Sequence, residues 1–148
     1  MKPTLKTLAA LRPSAYLIAI MSIVLMACGK DDDPSARDKA LSMLKSKIWQ
    51  IESVTVDEVD KTADYAGMTL SFTDNTVTVA NAGPAWPAQD AWQFTDDQAT
   101  AILRGDGVEI ELVTLTAETL ALELLWSTQG YSPGRTASIT GDYVFTFK

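Results

Sequence analysis

The sequence predicts an all-β protein, an up-and-down antiparallel meander of about eight strands closed into a barrel and preceded by one short helix. Three observations carry this expectation. From Trp49 onward, apolar side chains recur at every second residue, the period of a half-buried strand. Short turn signals, Asp74-Asn75, Asp96-Asp97 and Gly105-Asp106-Gly107, separate the alternating runs, so consecutive strands should pair as hairpins. Few long crossovers remain, which favours closure of the last strand on the first over an open sandwich.

Ahead of the barrel, residues 1–27 carry Lys2, Lys6 and Arg12, no acid, and an apolar run from Ala15 to Ala27. Basic flank, apolar run and small residue in that order form a signal-peptide pattern. The run is shorter than the ~20 residues that span a bilayer, and a buried core helix is the bland alternative. Leu25-Met26-Ala27-Cys28 resembles a bacterial lipobox, with Met26 where a small residue is more usual. The resemblance implies cleavage before Cys28, a diacylglyceryl group on its sulfur and acylation of the freed amine. Two or three acyl chains anchor far more firmly than one. Cys28 is also the single cysteine, so a disulfide within the chain is impossible. The expected organisation is a cleaved signal at 1–27, a lipidated cysteine with an acidic linker at 28–34, and a barrel domain with its helix at 35–148.

Removing residues 1–27 from 148 leaves 121, one domain able to bury a core without cross-links. Taking Lys2, Lys6 and Arg12 from the 12 basic residues leaves nine against 19 acids, a net charge of −10. Such a chain is poorly suited to nucleic acid or to electrostatic adhesion to anionic lipid. Histidine is absent, which removes a usual zinc ligand and the usual base of Ser and Cys nucleophiles. Two-carboxylate chemistry and calcium binding survive as chemistry but have no motif. Asp57-Glu58-Val59-Asp60 lacks the glycine and distal glutamate of a calcium loop and reads as a solvated turn. Neither a catalytic activity, a metal nor a cofactor is expected.

The elements follow in order. Asp33 is the expected helix cap, with Pro34 at the first position. The helix should run to about Lys47, with Ala40, Leu41, Leu44 and Ile48 on one apolar stripe that lies against the barrel. Trp49 and Ile51 share a face while Val54 and Val56 have the opposite parity, so the first strand should bulge near Ser53. Met68, Leu70 and Phe72 alternate with polar residues and turn through Asp74-Asn75 into Val77 and Val79. Trp92 and Phe94 mark another strand, followed by a short one near 99–103. Val108, Ile110 and Leu112 oppose Glu109, Glu111 and Val113; Leu120, Leu122, Leu124 and Trp126 mark the next strand, and Tyr143, Phe145 and Phe147 the last.

Several motifs occur together: the lipobox, Leu44 to Trp49 at the helix end, Gly67-x-x-Leu-x-Phe72, Trp92-x-Phe94 and Gly141-x-Tyr-x-Phe-x-Phe147. In this combination the chain resembles the small lipocalin-like lipoproteins of Gram-negative bacteria. Larger lipocalins carry Gly-x-Trp at the first strand, and Lys47 stands at that glycine position here. The resemblance implies a lipocalin-like barrel anchored in the cell envelope, at the outer membrane on its periplasmic face or the cell surface.

The expected barrel interior comprises Trp49, Leu70, Phe72, Trp92, Phe94, Ile110, Leu122, Leu124, Trp126, Tyr143 and Phe145. An eight-stranded barrel of this kind is either filled by its own side chains or holds one small ligand. A hollow one would take a small apolar or glycan ligand. The irregular stretch from Ala80 to Asp90 places Trp86 between two prolines, where it could stack on a ligand or anchor an envelope protein, with Gln89 and Asp90 as polar contacts. The alternative is that Trp86 folds back as a plug over the barrel mouth. Tyr131 and Arg135, in a second Gly- and Pro-containing stretch, complete the set of candidate contacts. Partners expected are thus a membrane through lipid on Cys28, a small apolar or glycan ligand, or an envelope protein. The alternative is a structural lipoprotein with a filled barrel, acting only through protein contacts.

Overall fold

In the computed structural model, residues 33–127 and 140–148 are described, and the chain from Pro34 onward forms one compact unit. One helix, α1 (Ala36–Lys45), precedes β1 (Trp49–Val56) and the two-residue β2 (Val59–Asp60). A single 3-10 turn at Thr62–Tyr65 leads to β3 (Thr69–Phe72), β4 (Thr76–Ala80) and β5 (Gln89–Phe94). Then come β6 (Ala101–Arg104), β7 (Glu109–Leu115), β8 (Leu120–Trp126) and β9 (Gly141–Phe147). Neighbouring strands from β3 to β9 pair antiparallel in chain order, and β1 pairs with both β3 and β9. The result is a closed up-and-down barrel of eight strands, with β2 as a short hairpin extension of β1.

Closure depends on the bulge expected in β1. Trp49 and Gln50 pair with Leu70 and Thr69, whereas Val54 to Val56 pair with Phe145 to Tyr143, and the register shifts between Ile51 and Ser53. The extra residue bends β1, as bulges do at barrel rims, so that one strand serves both neighbours while Trp49, Val54 and Val56 all stay buried. Val113 lies on the surface, on the face that its parity with Glu109 and Glu111 assigns, and a second register shift lies between Leu112 and Thr114.

The helix begins later than expected. Asp33 is not its cap: Ser35 accepts the Asp38 amide through Oγ, and the Asp38 carboxylate accepts the Ser35 amide in return. This reciprocal capping box satisfies two otherwise unpaired donors where a lone Asp33 would satisfy one. The helix also ends at Lys45, because the Ser46 amide and hydroxyl both donate to the Met43 carbonyl. Ile48 therefore falls outside the apolar stripe and is 61% exposed, while Ala40 and Leu44 are buried. Arg37 pairs with Asp97 in the β5–β6 turn and Lys45 with Asp74 in the β3–β4 turn. The Leu44 carbonyl accepts Trp49 Nε1–H at 2.9 Å. These contacts seat α1 across one end of the barrel.

The β1–β2 turn, Asp57-Glu58, has φ of +48° and +66°, the two positive values that a tight I′ hairpin demands. The expected turn is thus confined to these two residues, since Val59 and Asp60 pair with β1 as β2. The short strand expected at 99–103 begins two residues later, since Ala99 has φ of +56° and belongs to the preceding turn.

Candidate functional site

Strict alternation of strand direction places the β4–β5 segment, the β6–β7 turn and the 3-10 turn at the end opposite α1. Here a cation is buried. Among the described residues Arg104 is the single buried charged side chain. It shares parity with Ile102 on β6, so it points inward at the last position before the turn at Gly105 to Gly107. Its Nε donates to Asp106 Oδ1 at 3.2 Å, Nη2 donates to Asp106 Oδ2, and Nη1 donates to the Ala85 carbonyl at 3.0 Å. The paired bonds to one carboxylate form the fork geometry that suits guanidinium. The guanidinium carbon lies 4.9 Å from the Trp86 ring centroid and 5.5 Å from that of Trp126, within cation–π range of both.

Trp86 is thereby explained. The sequence offers it as a contact for a ligand or partner, but its exposure is 0%, so it does not serve as a surface platform. It is the plug: its ring meets Phe145 edge to face at 5.8 Å, and Ala85 beside it is also fully buried. Gly83 makes the return path feasible. At φ of +62°, an added Cβ there would stand 2.4 Å from the Tyr65 ring. Tyr65 in turn packs edge to face on Phe145 at 5.2 Å. Its phenol is pushed well above its ordinary value, first by burial and then by the neighbouring Tyr143, and it is neutral at physiological pH.

The other contact candidates are dispersed. Gln89 and Asp90 are not in an irregular loop but open β5. Gln89 is exposed, while Asp90 accepts the Asp106 amide at 3.2 Å and so braces the turn beside Arg104. Tyr131 and Arg135 lie outside the described residues, as does Cys28. Arg104 and Asp106 are absent from the sequence-derived set. The signal available was parity alone, a basic residue in phase with Ile102 just before a glycine turn.

The side chains expected to face the interior are shielded from water. A void admitting even one water would leave water-accessible surface on the side chains that line it. Trp49, Leu70, Ile110, Leu122, Tyr143 and Phe145 have none, and Phe72, Trp92, Leu124 and Trp126 retain 5% or less. Phe94 shares the face of Trp92 but is only half-buried, lying at the rim 5.5 Å from the Arg37 guanidinium. Outside, Glu109, Glu111, Glu123 and Asp142 border a solvent-open depression of about 350 Å³. Glu111 sits directly opposite Glu123, and both are exposed. No group of three or more metal-ligating side chains converges among the described residues.

Fold and site define an eight-stranded antiparallel barrel, consistent with a lipocalin-like fold, whose mouth is stoppered by its own tryptophan. Comparison of the chain with protein-family models, with curated proteins and with solved structures finds no match.

Proposed function

We propose that this chain is a lipid-tethered, non-catalytic accessory protein of the bacterial cell envelope whose barrel works from the outside. The observation that carries this reading is the filled interior: side chains with no accessible surface occupy the space where an enclosed ligand would sit. Partner contact then falls to the outer wall and rims, where Leu125 stands 66% exposed beside the acidic depression. The tether rests on the sequence, on Leu25-x-Ala27-Cys28 behind a basic and apolar leader. Because the domain that follows is strongly acidic, lipid on Cys28 would supply most of its membrane affinity.

The test is expression with labelled fatty acid, followed by fractionation and mass analysis of the mature N-terminus. The expected product begins at Cys28, carries label and partitions with membranes; Cys28→Ala loses the label and is released. Label that persists in Cys28→Ala refutes the tether.

A further inference from the structure

The stoppered mouth contains polar atoms that packing does not account for. Guanidinium has five N–H donors, and the bonds of the fully buried Arg104 side chain to Asp106 and Ala85 use three of them. Trp86 Nε1 is buried with no hydrogen-bond partner among the described residues. A buried donor without an acceptor costs about 1–3 kcal/mol, and a plug selected for stability alone could have been apolar. Both groups that close over Arg104, the Ala85 carbonyl and the Trp86 ring, come from one irregular segment between β4 and β5. That segment is entered through left-handed conformations at Asn81 and Gly83 and carries Pro84 and Pro87. Its base is held by the Val79 amide, which donates to the Ala88 carbonyl, and by the Asn81 side chain, whose Nδ2 donates to the Gly67 carbonyl.

We propose that Ala85-Trp86 is a tethered stand-in for a ligand, and that the barrel mouth is a binding site for a small aromatic carboxylate. The ring takes the place of the Trp86 indole between Arg104 and Phe145. The carboxylate replaces the neutral Ala85 carbonyl on Arg104 and engages the N–H donors left open, exchanging a neutral acceptor for a charged one. Trp126 stays as the second face of the guanidinium. This site is distinct from the outer wall and does not depend on the tether. The segment must swing out for the ligand to enter, so apparent affinity is reduced by the fraction of molecules that are open.

The test is a titration of the full-length protein in detergent micelles with indole-3-acetate to millimolar concentration, followed by amide and indole N–H resonances in NMR. Saturable shifts are expected at the Trp86 indole and at the Gly83 and Ala85 amides. Indole itself, which lacks the carboxylate, should bind at least about tenfold more weakly. Trp86→Leu, a milder change than alanine, should tighten indole-3-acetate by about tenfold or more because the plug no longer competes. Arg104→Lys, which keeps the charge without the fork, should weaken it by a similar factor. Absence of saturable shifts in both wild type and Trp86→Leu overturns the proposal. So does equal binding of indole and indole-3-acetate by the wild-type protein.

Discussion

At the residue scale, the energetics of the mouth turn on one side chain. Trp86 contributes a large buried ring, an edge-to-face contact with Phe145 and one face of the Arg104 sandwich. Removing such a residue forfeits its burial and opens a cavity, so Trp86→Ala should cost about 3–5 kcal/mol. Urea denaturation monitored by far-UV circular dichroism checks this; a loss below about 1 kcal/mol would mean that the ring is not held as described. Trp86 was legible as a residue of consequence because a tryptophan between two prolines breaks the strand pattern. Arg104 was not. A charged residue at the end of a strand reads as solvent-facing; Asp106 neutralises it from two residues on, and the Trp86 and Trp126 rings and the Ala85 carbonyl complete its burial. Those last three partners lie on other elements and leave no local trace.

At the scale of the element, α1 depends on its first turn. It has three turns at most, too short to persist alone, and Ala40 and Leu44 are its only fully buried side chains. Ser35→Ala removes one half of the capping box and should destabilise the protein by about 1 kcal/mol. Thermal or urea unfolding measures it, and Asp33→Ala, which breaks no cap, is the control that should change little. Ser35 stands two residues after Asp33, the cap that the following proline suggests, and Ser35-x-x-Asp38 prevails because its two bonds are mutual. Strand identity was more readable. Alternation fixed which residues of β3, β4, β8 and β9 turn inward, and the change of parity between Ile51 and Val54 marked the bulge in β1. The Leu112/Thr114 shift has no such mark, because Val113 continues the outward face of Glu109 and Glu111.

For the whole molecule, two turn carboxylates contribute to acid stability. Asp96 closes the β5–β6 turn by accepting the Thr100 hydroxyl and the amides of Gln98 and Thr100. Those bonds, the Thr100 hydroxyl first, hold its carboxyl below the ordinary 3.8. Asp60 is lowered in the same way, chiefly by the Thr62 hydroxyl. A carboxyl that is more acidic in the folded state binds fewer protons than its unfolded counterpart, so its contribution is present above the unfolded pKa and is lost as pH falls through the folded one. Stability should therefore decline below about pH 4, and the double variant Asp60→Asn, Asp96→Asn should show a flatter acid limb. Urea midpoints across a pH series test this; an unchanged slope in the double variant contradicts it.

The pairing of β1 with β9 also orders events in time. Every other pair of adjacent barrel strands is consecutive in the chain, apart from the short β2 between β1 and β3, but this seam unites Val54 with Phe145, near opposite ends of the folded unit. Contacts so far apart in sequence are slow to form, because chain entropy must be surrendered before they return anything. Until the last seven-residue strand, Gly141–Phe147, is available, β1 and β8 are bare edges, the kind that recruit other chains. A polypeptide emerging N-terminus first would thus carry two adhesive margins once β8 has formed, until β9 arrives as the clasp.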